Sequence, residues 1–129
     1  MAKQTLQVLS HTFTIHSFTP ETAIPTQVFA EPVFFVGKTQ DELSVVVPDT
    51  LSLDSLEAEP NWRALEVLGP LGFSLTGILS EISAVLAAEK ISIFAISTFD
   101  TDYILVKNDT LERAAQALRR AEYKILNND

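Results

Sequence analysis

The 129-residue sequence contains no cysteine. That excludes disulfides, thiolate nucleophiles and cysteine-ligated zinc, and it fits a reducing cytoplasm. Bases are scarce as well: nine lysines and arginines stand against seventeen acids, a formal charge of −8. A mean field of that sign repels DNA, RNA and anionic membrane surfaces. The only adjacent basic pair, Arg119–Arg120, does not override it. Long hydrophobic runs are missing too. The uncharged stretch at residues 67–80 is too short to cross a bilayer and contains Gly69, Pro70, Gly72 and Gly77, and no transmembrane helix is expected. Residues 1–5 have no apolar segment behind Lys3, so no secretory signal is expected either. These absences describe a soluble, acidic, cytoplasmic protein that binds neither nucleic acid nor membrane.

Histidine is nearly absent. His11 and His16 lie five apart in a strand-like region, where side chains five apart face opposite sides, so joint metal ligation is not expected. No serine has a histidine and an aspartate at a recognisable catalytic spacing, and Ser10-His11 is not a nucleophile elbow. No catalytic group, metal or cofactor is therefore expected.

What is present is a normal globular balance, 47% hydrophobic and 20% charged. The second half reads clearly. Residues 63–68 form a strand stopped by Gly69-Pro70. Residues 74–88 form a helix with Leu75, Ile78, Leu79, Ile82, Val85 and Leu86 on one stripe and Ser74 as its cap. Residues 91–98 and 103–107 are two strands joined by a polar turn. Asp109-Thr110-Leu111-Glu112 is a capping-box helix start, followed by the stripe Leu111, Ala114, Ala115, Leu118 and Ala121. Residues 123–126 form a last strand. The order β-α-β-β-α-β is that of the ferredoxin-like sandwich.

The first half follows the same plan more loosely. A shift of sixty residues aligns 33–36 with 93–96, 43–46 with 103–106 and Asp49-Thr50-Leu51 with Asp109-Thr110-Leu111. Pro20, Pro25 and Pro32 interrupt the region of its first helix, and residues 51–56 leave room for only a turn or two of its second. Residues 58–61 are the linker candidate. The expected architecture is α+β: two tandem ferredoxin-like βαββαβ units, 1–60 and 61–129, with antiparallel sheets and helices on one face.

Two segments carry chemistry. Residues 69–77 are a glycine loop between a strand and a helix. Glycines allow close backbone approach, and the first-turn N–H groups can hold a carboxylate or phosphate. The pattern matches neither a dinucleotide fingerprint nor a P-loop, and the plainer reading is a tight turn with Gly77 giving room for packing. Residues 97–103 are dense in hydroxyls and carboxylates. Asp100 or Asp102 could receive an ammonium or guanidinium group, although Asp and Thr are also ordinary turn residues. Two carboxylates alone are too few ligands for a divalent cation.

Leu68-Gly69-Pro70-Leu71-Gly72-Phe73-Ser74-Leu75-Thr76-Gly77-Ile78-Leu79, followed by Ile96-Ser97-Thr98-Phe99-Asp100-Thr101-Asp102-Tyr103-Ile104-Leu105-Val106, resembles the small tandem ACT-domain proteins related to the cytosolic arginine sensors. The resemblance extends over residues 62–123. It is weaker over 13–56, where Phe34-Phe35 and residues 41–46 carry it. It implies ACT-like units, completed by dimerisation, that bind an amino acid at an interface between units. Gly72, Phe73, Ser74, Leu75 and Thr76 would offer backbone N–H groups to the ligand carboxylate. Thr98, Phe99, Asp100, Thr101 and Asp102 would form the other side, a negative group there suiting the ligand ammonium. The implied role is a non-catalytic sensor without cofactor. The alternatives are a structural or partner-binding domain that assembles through a sheet edge, and an enzyme built on Asp100 and Asp102.

Overall fold

The computed structural model describes residues 3–68 and 77–127. Its strands are β1 (Thr5–Phe18), β2 (Phe35–Lys38), β3 (Leu43–Pro48), β4 (Glu57–Val67), β5 (Phe94–Ser97), β6 (Asp102–Lys107) and β7 (Lys124–Asn127). The helices are α1 (Ile78–Ala88) and α2 (Leu111–Arg120), with short 3-10 turns at Thr26–Ala30 and Asn108–Thr110. The chain divides into two compact units, a larger one of Met1–Ser10 with Arg63–Asp129 and a smaller one of His11–Trp62. Residues 1–10 thus group with the second half of the chain. The reason is local: Leu6 and Val8 pair with β7 and sit in the larger unit's core.

In the larger unit the strand order is β7-β1-β4-β6-β5. Leu6 and Val8 on β1, Leu65 and Val67 on β4, Ile104 and Val106 on β6, and Ile125 on β7 occupy alternate positions, so they line one face of the sheet. Ile82 and Leu86 of α1 and Ala114, Ala115 and Leu118 of α2 cover that face. Both helices therefore lie on one side, an α+β arrangement. Fully burying one such leucine contributes about 1.5–3 kcal/mol. The expectation of an antiparallel sheet holds for β5 with β6, but β7 pairs with β1 in parallel, Leu6 opposite Ile125. The start of β1 lies beside β4, taking the place at which β7 would otherwise close the sheet.

The two helices end alike. Ile91 N–H donates to the Leu86 carbonyl and Tyr123 N–H to that of Leu118, six-residue closures completed by Lys90 to Ala87 and Glu122 to Arg119. Lys90 (φ 59°) and Glu122 (φ 75°) hold the left-handed position that glycine usually fills. At the other end of α2 the expected Asp109 cap is not made. Thr110 is the N-cap, it makes no side-chain cap bond, and its hydroxyl donates instead to the Lys107 carbonyl (2.9 Å). The 3-10 turn at Asn108–Thr110 draws the chain in one residue later than the sequence suggested.

In the smaller unit the order is β2-β3-β1-β4, and its core is Phe18, Val28, Leu43, Val45 and Val47. The expected first helix is a single 3-10 turn following Pro25, with Val28 inward. Proline supplies no N–H for a helical ladder and fixes its own φ. The expected second helix at 51–56 is replaced by non-helical chain laid along β1. Asp49 N–H bonds Thr12 O (2.8 Å), Leu56 N–H bonds Ser17 O (2.9 Å), and Leu51 and Leu53 turn into the core. The supposed linker at 58–61 lies inside β4, where Asn61 takes a left-handed φ of 68°. His16 is 6% exposed beside Phe18, with Nδ1 2.8 Å from Ser55 Oγ. Burial pushes its pKa below the ordinary histidine value, and the Asp49 carboxylate opposes that shift.

Candidate functional site

Of the two segments singled out in the sequence, Gly72, Phe73, Ser74, Leu75 and Thr76 lie outside the described residues, as does the Ser74 cap. The flanks of that segment are described. The chain leaves β4 at Leu68, whose N–H donates to Thr5 O (2.9 Å). It enters α1 through Gly77, the N-cap, at φ 78°. Among the described residues nothing lies within 4 Å of a Cβ built on Gly77, and the left-handed backbone angle is itself what calls for glycine there.

The second segment is a four-residue turn between β5 and β6, antiparallel strands with Ser97 opposite Asp102. Thr98 N–H donates to Thr101 O (2.8 Å), closing the hairpin. The Thr98 hydroxyl donates to the same carbonyl (3.2 Å) and accepts from Thr101 N–H (3.3 Å). Ser97 Oγ donates to Asp102 Oδ1 (2.6 Å), so one carboxylate of the pair is engaged in holding the hairpin. Asp100 is exposed, and its carboxylate makes no hydrogen bond or ion pair with the described residues. Phe99 beside it is 81% exposed.

A contact that the sequence did not suggest ties this turn to the rest of the larger unit. The Thr101 hydroxyl donates to the carbonyl oxygen of Val67, the last residue of β4. The turn is thereby fastened next to the point at which the chain runs on into 69–76. Its acceptor is a main-chain oxygen, which no side-chain pattern reveals. A second unforeseen pair lies on the neighbouring strands, where the Tyr103 hydroxyl donates to Glu66 Oε2 (3.3 Å). Burial and then the Glu66 carboxylate push the Tyr103 pKa up.

The hairpin of the smaller unit is built on the same plan. β2 and β3 precede β5 and β6 by fifty-nine residues each, one fewer than the sequence alignment assumed. Thr39 N–H donates to Glu42 O (2.9 Å), and Thr39 Oγ1 accepts from the Asp41 and Glu42 N–H groups (3.2 Å each). Thr39 and Asp41 thus stand where Thr98 and Asp100 stand in the larger unit.

Chemically, the β5–β6 turn presents one carboxylate unengaged by the described residues on a hydrogen-bonded hairpin. Among the described residues no group of three His, Cys, Asp or Glu is placed to hold a metal ion. None of their helices is long and apolar enough to cross a membrane.

The sequence model of the ACT domain matches residues 57–120. The cytosolic arginine sensor for mTORC1 subunit 1 of Rattus norvegicus is 33% identical over 110 residues, covering 84% of this chain and 33% of that protein. Its Homo sapiens counterpart is 40% identical over 76 residues, 58% of this chain and 23% of that protein. The chain spans about a third or less of the length of these curated relatives. Among solved structures, protein Atu0741 from Agobacterium tumefaciens superposes with a TM-score of 0.91 at 29% identity, covering 100% of this chain and 96% of that one. The regulatory subunit of aspartate kinase from Thermus thermophilus shares the fold at a TM-score of 0.67 and 13% identity, over 94% and 99% of the two chains. The chain is therefore an ACT-domain protein, similar to the cytosolic arginine sensors.

Proposed function

We propose that this protein is a non-catalytic regulatory module that binds an amino acid. The observation that carries the reading is the fastening of the β5–β6 turn to Val67 by Thr101, with the Asp100 carboxylate left unengaged beside it. In this reading Asp100 receives the ligand ammonium, a charge-assisted hydrogen bond. Thr98, Thr101 and Asp102 hold the turn in shape, and Phe99 covers the apolar part of the ligand. The backbone N–H groups of Gly72, Phe73, Ser74, Leu75 and Thr76 receive the carboxylate. Gly77 begins α1 directly after them, and a helix N-terminus favours negative charge.

The ligand would lie where two ACT-like units meet, with a second copy of the chain completing a homodimer in the cytoplasm. The smaller unit, with its matching hairpin but no α-helix, is then a reduced ACT-like counterpart of the larger one. Binding acts by differential affinity: the assembled state that holds the ligand is favoured over the one that does not. The names of the relatives support this, since one is an arginine sensor and another a regulatory subunit.

The experiment is a thermal-shift screen of single amino acids. A ligand at a hundred times its Kd adds about 2.7 kcal/mol to the stability of the folded chain. No shift with any amino acid sinks the reading and leaves the structural one, in which assembly ignores small ligands. The observation favouring that second reading is that β5 ends the larger unit's sheet with Phe99 exposed at its tip.

A further inference from the structure

The charge of the chain is concentrated in one unit. His11–Trp62 carry eight acids and a single base, Lys38, whereas the larger unit carries nine acids and eight bases. At one margin of the smaller unit β2 pairs, among the described residues, with β3 alone. Thr39 and Glu42 form a hydrogen-bonded pair. In an antiparallel ladder such pairs alternate, so Gly37 with Ser44 and Phe35 with Val46 are the other bonded pairs. The backbone N–H and C=O groups of Val36 and Lys38 consequently point away from β3, and among the described residues nothing else bonds them.

This open edge has an apolar flank. Val36 is 38% exposed. Phe29 is 60% exposed and stands edge-on against Phe34, their ring centroids 5.6 Å apart. Val28 of the same turn is fully buried, whereas Phe29 is exposed with Thr26, Gln27 and Ala30. Acids frame the strand. Asp41 and Glu42 follow it in the hairpin turn, and Glu31 ends the 3-10 turn before it. Sheet edges are ordinarily blunted by lysine, proline or a covering loop. Here Lys38 and Pro32 stand only at the two ends, and Val36 between them is uncovered.

We propose that the β2 edge is a docking strip for an extended, basic segment of a partner protein. The segment adds as a strand to the outward groups of Val36 and Lys38. Its apolar side chain rests on Phe29 and Val36, and its lysines or arginines face Glu31, Asp41 and Glu42. Main-chain bonds supply affinity in such strand addition, and the flanking side chains supply selectivity. Charge selects the occupant. A second copy would bring two strongly acidic units edge to edge, and nucleic acid or an anionic membrane is repelled in the same way.

The test titrates the full chain with a labelled peptide alternating lysine and valine, alongside one alternating glutamate and valine. Val36→Pro removes an N–H that faces away from β3, so it spares the β2–β3 ladder, and edge strands tolerate proline. A double variant, Asp41→Asn with Glu42→Gln, removes charge and leaves the backbone edge intact. The lysine peptide is expected to bind saturably, one per chain, with amide shifts at Val36 and Lys38, while the glutamate peptide does not bind. Val36→Pro is expected to weaken binding about tenfold or more. The double variant, or raising the salt from about 0.05 to about 0.5 M, is expected to weaken it as well. Unchanged affinity in Val36→Pro or in the double variant, salt-independent binding, or amide shifts confined to other strands would overturn the proposal. So would self-association of the free chain that Val36→Pro abolishes, since the edge would then belong to a second copy.

Discussion

The hydroxyl of Thr101 donates a hydrogen bond to the carbonyl oxygen of Val67. That bond joins the tip of one hairpin to the end of a strand thirty-four residues earlier, and it fixes the position from which Asp100 faces outward. Thr101→Val keeps the shape and removes the donor. The expected cost is about 1 kcal/mol of stability, since the Val67 carbonyl loses its side-chain partner. Amino-acid affinity is expected to fall too, because the turn is no longer held. Urea unfolding and a ligand titration on the same variant separate the two effects. A stability loss with unchanged affinity would detach the turn from binding.

His16 makes stability depend on pH with a known sign. Burial lowers its folded pKa beneath the ordinary value of 6.5. The unfolded chain therefore binds more protons between the two values, and stability rises with pH there. The contribution is fully present above pH 6.5 and is lost as pH falls below it, toward the folded pKa. Unfolding curves taken between about pH 7.5 and about pH 5 should show this slope, and His16→Gln should lack part of it. Parallel curves for the two proteins would show that His16 is not the group responsible.

The helix ends offer a stabilising change. Lys90 and Glu122 occupy left-handed positions, which cost a side-chain-bearing residue about 1–2 kcal/mol. Lys90→Gly and Glu122→Gly should each raise the melting temperature, the second at the loss of an exposed charge only. A lowered midpoint in both would mean that the side chains hold the termini by contacts of their own.

Core substitutions should separate the buried part of one face of β4 from its half-buried start. Leu65 is fully buried among Leu6, Ile82, Ile104 and Leu118, and Leu65→Ala should cost about 2–5 kcal/mol. Arg63, two residues earlier, is only half-buried and donates to the Leu9 carbonyl (3.0 Å), so Arg63→Lys should cost far less. Equal losses would contradict the placement of the core.

The larger unit could be read from sequence because its signals are local and periodic. Ile82 and Leu86 on α1, and Ala114, Ala115 and Leu118 on α2, recur at helical spacing and are the residues that pack. The smaller unit misled for equally physical reasons. Leu51 and Leu53 sit among acids and serines at a spacing open to a short helix, yet they alternate inward along chain laid on β1. Pro60-Asn61 has linker composition, but Asn tolerates the left-handed angle that lets β4 run through. The grouping of Leu6 and Val8 with β7 is a long-range pairing that no local pattern encodes. In the candidate site, Thr98, Asp100 and Asp102 stood out by residue type. The Val67 acceptor and the Glu66–Tyr103 bond did not, since both depend on strands meeting in three dimensions.

The most direct measurement is titration calorimetry of the full chain and of Asp100→Asn with the amino acid that shifts the melting temperature most. Saturable binding to the native chain is expected, with a loss of about 1.5–3 kcal/mol of affinity in the variant, the strength of a hydrogen bond to a charged group, and an unchanged melting temperature in the absence of ligand. Equal affinity in the two proteins would contradict it, because the carboxylate at the tip of the turn would then not touch the ligand.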